Sequence, residues 1–141
     1  MYYSTEQCAD FFDRQGIRYS VKEAADDDKR DIIRLPYAAE NTDIIVHMFF
    51  SDDNEDVAIR VFGLVKVQEA KIPKMLDVIN EQNRCFRFAK FCLNMDDHTI
   101  QVEIDAAFRS HNIGEICDEL VSRIVSISQD AYAEFMKAMW S

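Results

Sequence analysis

The chain has 141 residues, with 16 basic against 26 acidic side chains and a formal net charge of −10. A surplus of that size repels phosphate backbones and anionic lipid, which speaks against nucleic-acid and membrane-surface partners. Hydrophobic residues make up 48% of the sequence and glycine and proline number only 3 and 2, so a single domain over residues 1–141 is expected, with a substantial core and short loops.

Met1-Tyr2-Tyr3-Ser4-Thr5-Glu6 contains neither a basic nor an apolar stretch, so no signal peptide is expected there. No run reaches the roughly 18 uncharged apolar residues of a membrane span, and a cytoplasmic location is the expectation. Cys8, Cys85, Cys92 and Cys117 form no CxxC pair and no zinc-ligand spacing. In a reducing compartment they are expected to be small core residues.

Ser4-x-x-Gln7 reads as a capping box. Behind it Cys8, Phe11, Phe12 and Gln15 share one helical stripe, and Gly16 stands where a C-cap belongs. A first helix over about 4–15 is predicted. Ile17 to Glu23 alternates with period two and predicts a strand. After the charged turn Asp26 to Arg30, residues 31–38 predict a second strand, with Pro36 at an edge because proline cannot donate to a ladder. Ile44 to Phe50 is apolar on both faces: Ile44, Val46, Met48 and Phe50 on one, Ile45, His47 and Phe49 on the other. Such a strand is expected to be covered on both sides. A polar hairpin, Ser51 to Asp56, leads into Val57 to Val67, with Val57, Ile59, Val61 and Val65 on one face and Gly63 as a bulge candidate.

Pro73 fits the first turn of a second helix that runs to about Gln82. On the next strand Phe86, Phe88, Lys90 and Cys92 oppose Arg87, Ala89, Phe91 and Leu93. Past the turn around Asp96-Asp97-His98, Ile100, Val102 and Ile104 face one way and Gln101, Glu103 and Asp105 the other, as in a strand covered on one side. Asn112-x-x-Glu115 reads as a second capping box. It opens a long helix whose apolar residues, from Ile113 to Met139, follow a 3.6 period, with Ser126 and Ser128 a place for a bend. The order α-β-β-β-β-α-β-β-α predicts an α+β fold: a mostly antiparallel sheet with the long amphipathic C-terminal helix packed on it.

Little in the sequence carries chemistry. Asp52, Asn54 and Asp56 mimic the start of a calcium loop, but Val57 and Gly63 replace its glycine and its final glutamate. His47, His98 and His111 make no HExxH and no i,i+4 pair, and nothing sets a cysteine beside a histidine as a nucleophile. Phosphate-binding glycine loops are absent. No catalytic, cofactor or metal residue is assigned, and a non-enzyme is expected.

The stretch Leu76 to Arg84, followed by Phe86-Arg87-Phe88-Ala89-Lys90-Phe91, resembles the YbjN family. Asn80 and Asn83 match an Asn-x-x-Asn element, Phe86, Phe88 and Phe91 an aromatic strand, and Tyr132, Phe135 and Met136 the aromatic end of a closing helix. One departure is that the closing helix continues to Met139-Trp140-Ser141 without a separate tail. The family is described as regulators of sensory transduction and is similar in fold to type III secretion chaperones, small acidic cytoplasmic dimers that hold extended client segments. The resemblance implies a chaperone-like protein-binding module, a homodimer without cofactor, that captures a partner segment along its sheet.

Ile45, Phe49, Phe62 and Phe91 are the candidate partner-binding residues, as apolar side chains on strand faces opposite the presumed core. The acidic composition suggests a basic or amphipathic partner. The alternative is a small-ligand binder or enzyme with a pocket between sheet and last helix, containing His47 or a cysteine.

Overall fold

The computed structural model describes residues 1–39, 41–109 and 112–141. His111 therefore lies outside the described residues. Ten elements follow one another: α1 (Tyr3–Gln15), β1 (Ser20–Lys22), β2 (Asp31–Tyr37), β3 (Ile44–Phe50), β4 (Asp56–Lys66), a single 3-10 turn (Glu69–Lys71), α2 (Ile72–Cys85), β5 (Lys90–Asn94), β6 (Thr99–Ala107) and α3 (Ile113–Met139). The strands form one six-stranded sheet in the order β1-β2-β3-β4-β6-β5, with every neighbouring pair antiparallel. The α+β architecture and the element order agree with the sequence reading.

All the core lies on one face of the sheet. Ile33 and Leu35 of β2, Ile44, Val46, Met48 and Phe50 of β3, Val57, Ile59 and Val61 of β4, and Ile100, Val102 and Ile104 of β6 are buried. Register places them side by side: Met48 opposite Ile59, Ile59 opposite Ile104, Val61 opposite Val102. Over them runs α3, which buries Cys117, Val121, Ile124, Ala131 and Phe135. It is unbroken through Ser126 and Ser128. Helix α1 packs against α3 and β2, and α2 packs against α3 and β5. The α1–α3 crossing is close at Gly114, where a Cβ would sit 2.4 Å from that of Phe11.

The helix ends are where local reading and structure part. Gly16 does close α1, at φ 69°, a conformation that glycine adopts without strain. Neither capping box forms. Ser4 is buried inside α1 and its hydroxyl has no partner among the described residues. Amides at the start of α1 are taken by distant side chains instead: the N–H of the N-cap residue Tyr2 donates to Asp31 Oδ2 at 2.7 Å and Ser4 N–H to Asn54 Oδ1 at 2.8 Å. Asn112 holds the N-cap position of α3 without a side-chain cap bond. A capping box needs its first residue outside the helix, and Ser4 lies inside α1, whose start is held by Asp31 at the head of β2 and by Asn54 of the β3–β4 turn.

Some bounds also differ. Helix α2 runs to Cys85, and β5 begins at Lys90 rather than at Phe86, because Phe88 takes a left-handed φ of 74° that interrupts the strand. Gly63, at φ 62°, does mark a bulge, where the β4–β6 register shifts between Val61 and Val65. Pro36 lies where β2 runs beyond three-residue β1, so this part of the strand has β3 on one side only.

Candidate functional site

Among the described residues, no helix lies on the other face of the sheet. Strand alternation sends the odd partners of the core residues there: Ile32 and Arg34 from β2, Ile45, His47 and Phe49 from β3, Ala58, Arg60 and Phe62 from β4, and Gln101, Glu103 and Asp105 from β6. All are at least partly exposed. The expectation that Ile44 to Phe50 is covered on both sides is corrected: its second face is open.

At the centre of this face is an aromatic cluster. The His47 ring lies 5.2 Å from Phe62 in an edge contact and 6.3 Å from Phe49 in a stacked one, and Phe49 and Phe62 are 6.3 Å apart. Ile45 and Phe62 are 43% and 45% exposed. Alternation alone sends Phe62 outward, next to buried Val61, and the Gly63 bulge that follows lets both Leu64 and Val65 turn into the core. Ring pairs of this kind contribute about 0.5–1.5 kcal/mol each. They hold the rings on the face but leave apolar area in water, the state that marks interaction surfaces.

Of the four candidate residues, the structure brings Ile45, Phe49 and Phe62 to this face and not Phe91. Phe91 is 2% exposed, in edge contact with Phe135 at 5.5 Å and with Phe86 at 5.9 Å. Both faces of the 86–93 segment carry apolar residues, so alternation alone left its inward side ambiguous. Lys90 and Cys92 take the open side and Phe91 seals the core under α2 and α3.

Charged residues complete the site. The Arg30 guanidinium lies 4.3 Å above the Phe49 ring, a cation–π contact worth about 0.5–1 kcal/mol when exposed. Arg34, His47, Arg60, Glu103 and Lys90 form one row across the sheet in strand register. Arg60 reaches Asp105 at 2.7 Å and Glu103 at 3.5 Å, and Lys90 reaches Glu103 at 3.7 Å. Partial burial, then the positive charge of Arg34, lowers the His47 pKa, so the ring is neutral at pH 7. His47 thus sits on the sheet face away from α3, which removes it from any pocket between sheet and last helix. Sequence reasoning passed over Arg30 and Arg34; the phase of β2 carries the signal for Arg34, while Arg30 precedes the strand and is placed only by the fold.

The remaining chemistry-bearing residues are elsewhere. Cys8 and Cys117 are buried, and burial followed by the neighbouring Cys117 raises the Cys8 pKa, keeping that thiol protonated. Cys85 is exposed and Cys92 half-buried, so the expectation of four core cysteines holds for only two. Asn54, of the calcium-like segment, caps α1 through Oδ1 and donates from Nδ2 to the Asp52 carbonyl. Among the described residues no cluster of three metal-ligating side chains is present, and no helix is long and apolar enough to cross a membrane.

The free edges of the sheet are blunted. At β5, the Asn83 side chain imitates a neighbouring strand: Phe91 N–H donates to Asn83 Oδ1 at 2.7 Å, and Asn83 Nδ2 donates to the Phe91 carbonyl at 3.1 Å. At the other edge, β1 is three residues long and the exposed stretch of β2 contains Pro36. Short strands and proline discourage the addition of a further strand.

No family model matches the sequence, and no curated protein matches it. Among solved structures, the fold is similar to that of the crystal structure of "YbjN, a putative transcription regulator from E. coli", with a TM-score of 0.54 and 12% sequence identity over 93% of this chain and 87% of that chain. The chain has a YbjN-like fold.

Proposed function

We propose that this protein is a non-enzymatic binding module of YbjN type, working as a homodimer, that captures a segment of a partner protein in the manner of a type III secretion chaperone. The observation that carries the reading is the cluster of exposed Ile45 and Phe62 with half-buried His47 and Phe49, on the sheet face that bears no helix among the described residues. Fully burying an exposed Ile or Phe side chain is worth about 1.5–3 kcal/mol; Ile45 and Phe62, 43% and 45% exposed, would each contribute roughly half of that, and their clustering with Phe49 makes this patch the candidate hot spot. The blunted edges favour capture on the face over strand addition. His47 contributes as a neutral ring between two phenylalanines, a packing role rather than a proton-transfer one. The YbjN structure is described as that of "a putative transcription regulator"; with a net charge of −10, regulation by this chain would pass through protein contacts rather than through DNA.

Site-specific photo-cross-linking tests this. A photoreactive phenylalanine replaces Phe62 in one version of the protein and the exposed Leu76 of α2 in another. The reading expects covalent adducts from position 62 that disappear with Phe49→Asp and are absent from position 76. Equal adducts from both positions, or none from position 62, contradict it.

A further inference from the structure

The cations of the open face gather around its apolar patch, in a chain whose net charge is −10. On β1, β2 and β3, the strands that hold most of the apolar patch, the charged side chains on this face are Lys22 and Arg34, placed there by the register Lys22–Ile32 and Arg34–His47. The Arg30 guanidinium adds a third cation on the Phe49 ring. The acidic residues of this face, Asp56, Glu103 and Asp105, all stand on β4 and β6, and Arg60 binds two of them. Lys22 and Arg30 have acidic neighbours in Asp27 and Asp28. Among the described residues no carboxylate lies within ion-pair distance of Arg34, which is exposed beside His47.

We propose that the occupant of this face is an acidic amphipathic segment of a partner protein, with an aromatic or branched side chain on Ile45, Phe49 and Phe62 and an Asp or Glu on Arg34. The inference rests on the face-capture reading above and names the partner's chemistry. The expectation of a basic or amphipathic partner rests on net charge, whereas a short segment feels only the charges near it: beyond a Debye length, about 8 Å in physiological salt, exposed charges are screened. Asp27 and Asp28 do stand beside Lys22 and Arg30, but the acids of Asp52–Glu55 and Asp96–Asp97 sit in turns and others lie on the outer helix surfaces. A guanidinium offers a carboxylate two parallel hydrogen bonds, and the apolar patch beside it supplies the area that a surface ion pair alone lacks.

Short random peptides displayed on phage, selected on the whole protein in physiological salt and counter-selected on Phe62→Asp, test the proposal. The expected survivors combine aromatic or branched residues with an excess of Asp and Glu, and lose about tenfold or more in affinity for Arg34→Glu. Selection on Arg34→Glu is expected to shift survivors toward Lys and Arg. Survivors that are basic, or that bind Arg34→Glu unchanged, overturn the acidic-segment proposal and leave face capture standing. Failure of any peptide to enrich over Phe62→Asp overturns face capture itself. Arg34→Gln replaces Arg34→Glu should circular dichroism show that the latter does not fold.

Discussion

Asp31 is 1% exposed and charged, and the geometry around it explains how both hold. Oδ2 accepts from Tyr2 N–H and the Thr5 hydroxyl, both at 2.7 Å, and Oδ1 from Ala24 N–H at 2.8 Å. Burial alone would raise the carboxyl pKa; the bonds from Thr5, Tyr2 and Ala24 outweigh it, and the pKa is lowered. Stability from this group is therefore fully present above the unfolded carboxylate pKa of about 3.9 and is lost as pH falls through the lower folded value. Asp31→Asn keeps one acceptor and turns the other into a donor facing donors. It is expected to cost about 2–4 kcal/mol at pH 7 and to flatten the acid limb of stability; urea unfolding at pH 7 and near pH 3 checks both. An Asp opening a strand gives no sign in the sequence that it will hold a helix start 26 residues away. By contrast the outward places of Ile45, Phe49 and Phe62 were legible, because a period of two fixes side from position alone.

At the scale of elements, helices and strands were legible wherever one face was apolar and the other polar, as in β6 and α3. Reading failed where the deciding partner is remote. Helix α1 is capped by Asp31 and Asn54 rather than by its own Ser4, and Gly114 is set by the Phe11 side chain of another helix. It also failed at β5, where both faces carry apolar residues. The Asn-x-x-Asn element divides its work: Asn80 is exposed, while Asn83 closes the β5 edge. Asn83→Ala leaves the N–H and carbonyl of Phe91 without their partner and is expected to destabilise the fold by about 1–3 kcal/mol. Freed backbone groups on an edge strand also template pairing between chains. The variant is expected to show a lower melting temperature together with concentration-dependent scattering; unchanged values for both would mean that the Asn83 contacts carry no weight.

The described residues form a sheet sealed on one side by three helices and bare on the other. An antiparallel sheet tolerates one wet face, but water then usually meets polar side chains, not a cluster of phenylalanines with a neutral histidine between them. The asymmetry of charge belongs to this scale too: acidity accumulates in turns and on helices, and the bare face carries arginines around its aromatic centre. That separation could not be read from composition, which sums charges without placing them.

Hydroxyl-radical footprinting of the free and peptide-bound protein tests the central claim most directly, because it reads individual phenylalanines. The account predicts that Phe49 and Phe62 are oxidised readily in the free chain while Phe91 and Phe135 are spared, and that a peptide selected on this face protects Phe49 and Phe62 alone. Phe49 and Phe62 spared in the free protein to the same extent as Phe91, or left unprotected by a bound peptide, would contradict it.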